Sequence, residues 1–113
     1  MRVTSEFFVT ALIRRVFASG GFAAVERKGA AEAGAIFIRQ RFRDGLETLY
    51  APAPQSVFEE ERPDDRRFEV RKDRSQPGEV GDMLQREVRF DPDLWVVELE
   101  TDDLGDLLLV VPD

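Results

Sequence analysis

The segment "AIFIRQRFRDGLETLYAPAP", residues 35–54, most narrows what this chain can become. In its first part Ile36, Ile38, Gln40 and Phe42 share one side of an extended strand, and Phe37, Arg39 and Arg41 the other. Asp44-Gly45 is a favoured tight-turn pair, so "LETLYA" (46–51) should fold back antiparallel on the first run. Pro52 and Pro54 then stop the ladder, because proline cannot donate to it. Such a hairpin belongs to a sheet, and an amphipathic helix packs on a flat surface of that kind.

Two segments have that character. Thr4 or Ser5 can cap a helix that reaches about Ser19 and ends at Gly20-Gly21. Its Phe8, Val9, Leu12, Ile13, Val16 and Phe17 fall on one broad side at helical spacing. The second, "SQPGEVGDMLQREVRF" (75–90), has Ser75 as a cap candidate, Pro77 in its first turn, and a stripe of Val80, Met83, Leu84 and Val88. Further strands are expected at 22–27, at 68–71 and over "LWVVELET", with "LLLVV" (107–111) as the hairpin partner of the last. The order α-β-β-β-β-α-β-β implies an α+β fold in two layers: a mostly antiparallel sheet of about five or six strands, with both helices packed on one face. Residues 1–113 suffice for a single domain, and the acidic stretch at 55–67 should be a mobile loop.

Composition removes many functions. There is no Cys and no His, and Lys28 and Lys72 are the only lysines. Disulfides, thiolate chemistry, the familiar zinc sites and the usual general base near neutral pH are therefore missing. No phosphate-cradling glycine motif is present, so neither a metal, a cofactor nor a catalytic residue is expected. The net charge of −7 argues against a general nucleic-acid or anionic-membrane binder. It is unevenly spread: residues 1–57 hold eight basic against five acidic side chains, and 58–113 hold eight against eighteen. "FFVTALI" is preceded by Glu6 and followed by Arg14-Arg15, unlike a signal peptide, and no apolar run approaches the roughly 20 residues of a membrane helix. A cytoplasmic location is the expectation.

Two constellations invite a functional reading. Arg39, Arg41 and Arg43, with Phe37 before them, could form a partner surface on the hairpin. Charged residues on a strand also guard a sheet edge against aggregation. "FDPDLWVVELE" (90–100) places four carboxylates in eleven residues. Asp91 and Asp93 around Pro92 form a good helix–strand corner, with Phe90 and Trp95 expected to anchor it to the core from either side and the Trp95 N–H requiring a partner. Glu98 and Glu100 share the opposite strand face, where they can pair with Arg39 or Arg41 across strands.

"RVTSEFFVTALIRRVFASGGFAAVERKGAAEAGAIFI", then "LYAPAP", then "FDPDLWVVELE" resemble a family of small uncharacterised alphaproteobacterial proteins that form a domain of unknown function. The resemblance implies a compact α+β domain and supplies no activity, cofactor or substrate. Three functions follow: a non-catalytic binding or adaptor domain with a protein partner at a sheet face or edge, a self-associating homodimer, and a metal-dependent hydrolase using Asp91, Asp93, Glu98 or Glu100.

Overall fold

The computed structural model describes residues 3–54 and 66–112. Most of the acidic stretch expected to form a loop lies outside the described residues. Helix α1 spans Ser5–Ala18, strands β1, β2, β3 and β4 span Phe22–Arg27, Ile36–Arg41, Glu47–Pro52 and Arg67–Ser75, helix α2 spans Pro77–Phe90, and strands β5 and β6 span Trp95–Glu100 and Leu109–Val110.

The local signals work as their chemistry dictates. The Thr4 hydroxyl accepts from the Phe7 N–H at 3.1 Å, capping α1, and Gly20 takes the left-handed conformation (φ 92°) that ends it. Arg41 faces Glu47 across the β2–β3 hairpin, with Gly45 at φ 89° in the turn and the Leu46 N–H donating to the Asp44 carboxylate. α2 begins at Pro77 without a side-chain cap, since Ser75 remains the last residue of β4.

The sheet is arranged differently from the expectation. It is an open, mixed sheet in the order β1-β5-β2-β3-β4-β6. β5 inserts between β1 and β2, antiparallel to the first and parallel to the second. The reason lies in "LWVV": Leu94, Trp95, Val96 and Val97 are all buried, so β5 needs cover on both faces and takes an interior position. β6 is not the hairpin partner of β5. It pairs parallel with β4 at the far edge, while Leu107 and Leu108 just before it enter the core.

The helices also lie on opposite faces, not one. α1 packs Val9, Leu12 and Val16 against Ile36, Ile38, Tyr50, Phe68, Trp95 and Val97. α2 packs Val80 and Leu84 against Phe37, Leu49, Ala51, Leu94 and Val96. The result is three layers with two separate cores, required by the fact that β2 and β5 are apolar on both sides. Among the described residues no helix is long and apolar enough to cross a membrane.

Candidate functional site

The arginine row is an internal structure. Its centre is Glu47, the first residue of β3, whose side chain is fully buried. Arg39 donates through Nε to one Glu47 carboxylate oxygen at 2.6 Å, and Arg41 donates through Nε to the other at 2.9 Å. Both arginines face Glu47 because the hairpin register sets Arg41 directly opposite it and Arg39 two residues along the same face. Arg39 goes further: its two terminal nitrogens reach the Glu26 carboxylate at 3.0 Å and the Pro77 carbonyl at 3.2 Å. One guanidinium thus ties β1, β2, β3 and the start of α2 together, and its side chain is only 13% exposed. Arg41 also donates to Glu98 of β5 at 3.2 Å, as the sequence pairing suggested.

The other members of the proposed row are dispersed. Phe37 is buried in the α2-side core, not displayed beside the arginines, with Arg71 over its ring. Arg43 is almost wholly exposed in the turn, where its guanidinium lies 3.8 Å from the Asp102 carboxylate. The four residues therefore do not form one accessible patch.

The corner holds together through backbone. The Asp91 carboxylate accepts from the Asp93 N–H at 3.1 Å, and the Asp93 carbonyl accepts from the Ala30 N–H at 2.9 Å. The Pro92 carbonyl accepts from Arg27 at 2.8 Å. Gly29 and Gly34 crowd the same spot, where a Cβ on either would collide with the Asp93 carbonyl. Trp95 is buried, and its indole N–H donates to the Ala30 carbonyl at 2.8 Å. Phe90 is no anchor: it is 87% exposed at the end of α2. Among the described residues no group of three or more acidic side chains is arranged to hold a metal ion.

Around the ion-pair network the carboxylates outnumber the cations. Glu98 and Glu100 lie on the α2 side of β5, opposite Ala24 and Phe22 of β1. Glu98 is held above the usual carboxylate range by burial first and by Glu100 next, with Arg41 opposing both. A raised native pKa means that the folded state binds more protons than the unfolded chain, so this group's contribution is full at low pH and is lost as pH rises through the native pKa. Glu98→Gln removes that loss. The variant's melting temperature relative to the parent should therefore climb as pH rises above the ordinary glutamate range, as followed by circular dichroism. A difference that falls as pH rises would contradict the assignment.

Sequence reasoning passed over the outer edge of β1. It is one end of the sheet, and no strand among the described residues pairs on its outer side. Beside it stand Phe17, Phe22 and Val25, between 41% and 51% exposed, with the Phe17 and Phe22 rings edge to face at 5.5 Å. At Glu26 the β1–β5 register shifts, a bulge that ends regular pairing.

Comparison with known proteins decides the family. The family model described as "Protein of unknown function (DUF1491)" matches residues 3–109. The chain belongs to the DUF1491 family. A DUF1491 protein from Caulobacter crescentus, known as a crystal structure, is 31% identical, with 99% of this chain and 100% of that one covered and a TM-score of 0.80. The solution structure of a protein from A. tumefaciens is 60% identical, with 100% and 98% covered and a TM-score of 0.88. No curated protein matches the chain. These two relatives thus share the overall fold over nearly the whole chain.

Proposed function

We propose that this chain is a cytoplasmic, non-catalytic binding domain, built as one α+β unit, that engages a protein partner by strand addition at the outer edge of β1. The observation that carries the reading is the coincidence of an unpaired edge with exposed apolar side chains, Phe17, Phe22 and Val25. Natural proteins ordinarily blunt such edges with charge, a bulge or brevity. The other edge strand, β6, is two residues long. β1 carries its bulge and charges only from Glu26 onward, which leaves Phe22–Val25 able to accept a strand.

The arginine surface is the less favoured form of the same idea, because Arg39 and Arg41 are already bonded to Glu47, Glu26 and Glu98. Phe22→Lys combined with Val25→Lys should leave the circular dichroism spectrum and melting point nearly unchanged and abolish capture of the partner from native lysate. Capture at parental strength by this variant would remove the edge from consideration.

A further inference from the structure

Resting on that strand-addition reading, we infer that the occupant of the β1 edge is a basic extended segment of a partner protein, with apolar residues alternating with arginine or lysine. The two sides of the edge differ in character. On the α1 side Ala23 is buried and Val25 is 41% exposed, so residues of an added strand pointing to that side meet apolar surface. On the α2 side the alternate positions are Phe22 and Ala24, and behind them stand Glu100 and Glu98 on β5, with Glu26 at the bulge.

The charge balance of that side is uneven. Four carboxylates, Glu26, Glu47, Glu98 and Glu100, share that side with three guanidinium groups, those of Arg39, Arg41 and Arg27, the last standing past the bulge opposite Val96 and donating to the Pro92 carbonyl. Arg39 and Arg41 engage Glu26, Glu47 and Glu98, which leaves an excess of one negative charge, with Glu98 and Glu100 the carboxylates directly behind Ala24 and Phe22. A residue on an added strand opposite Ala24 stands two strand spacings, about 10 Å, from Glu98. The Ala24 methyl is low enough for a long basic side chain to lie across it toward Glu98 and Glu100. A second copy of this chain would bring its own carboxylates to the same place and carries a net charge of −7, and nucleic acid is repelled for the same reason. The bulge at Glu26 limits the contact to Phe22–Val25.

The test uses the 15N-labelled chain and three eight-residue peptides in which valine alternates with arginine, threonine or glutamate. The Val/Arg peptide should move the amide signals of Phe22–Val25 and bind at least about fivefold tighter than the Val/Thr peptide, the size expected of two exposed ion pairs. The preference should shrink in Glu100→Gln and at high salt. Equal binding of the arginine and threonine peptides at β1 would overturn the charge inference and leave strand addition standing. Binding of the arginine peptide with β1 signals unmoved would overturn strand addition, and no binding by any peptide would overturn both. Concentration-dependent broadening of the β1 signals in the chain alone, with a dimer by sedimentation, would make a second copy the occupant and overturn the basic partner.

Discussion

Glu47→Gln should destabilise the fold by about 3–5 kcal/mol, the cost of breaking a buried ion pair by removing one partner. The Glu47 side chain is fully buried and accepts from Arg39 and Arg41 through its two oxygens. An amide in its place turns one acceptor into a donor that confronts a guanidinium N–H, and it leaves Arg39, itself mostly buried, short of a counter-charge. Arg39 also holds the Pro77 carbonyl, so the loosened guanidinium should weaken the seat of α2. Urea denaturation reads the loss as a lower midpoint with an unchanged slope. Replacing Glu47, Arg39 and Arg41 together by leucine and methionines should restore most of it, because an apolar trio removes the desolvation cost along with the attraction. A Glu47→Gln loss below about 1 kcal/mol, typical of surface pairs, would show the network to be solvated.

Trp95→Ala carries a comparable expected loss of about 3–5 kcal/mol. The ring fills the α1-side core beside Val97 and Leu99, and its N–H satisfies the Ala30 carbonyl. Truncation opens a cavity and leaves the Ala30 carbonyl with the Gly34 N–H as its donor. Asp93→Asn should stay within about 0.5 kcal/mol, as a surface substitution, because the Asp93 backbone makes the corner's bonds. The pair of variants, compared by urea denaturation, separates structural corner from chemical site. A neighbouring carboxylate that did chemistry would show the reverse order, loss of function without loss of stability.

These contrasts also mark where the sequence was readable. α1, the hairpin at Gly45 and the Asp91-Pro92-Asp93 corner are local: cap, turn and proline fix them within a few residues. The strand order is decided by residues far apart, and there the reading failed. "LWVV" and "IFI" are apolar on both sides, which is the mark of interior strands between two helical layers. Assigning one face of each to solvent put both helices on the same side and set Phe37 beside an exposed arginine row. Glu47 lies in "LETLY" directly across the hairpin from Arg41, so the hairpin register alone could have revealed the pairing. The β1 edge had no comparable signal, since which strand ends a sheet depends on every other pairing.

The central claim is that β1, and not the arginine row, meets the partner. A photocrosslinking amino acid at position 22, compared with the same residue at position 43, the exposed member of the arginine row, tests it most directly. Irradiation in cells should give a partner adduct from position 22 and none from position 43. Adducts of equal yield from both positions, or from position 43 alone, would contradict the account.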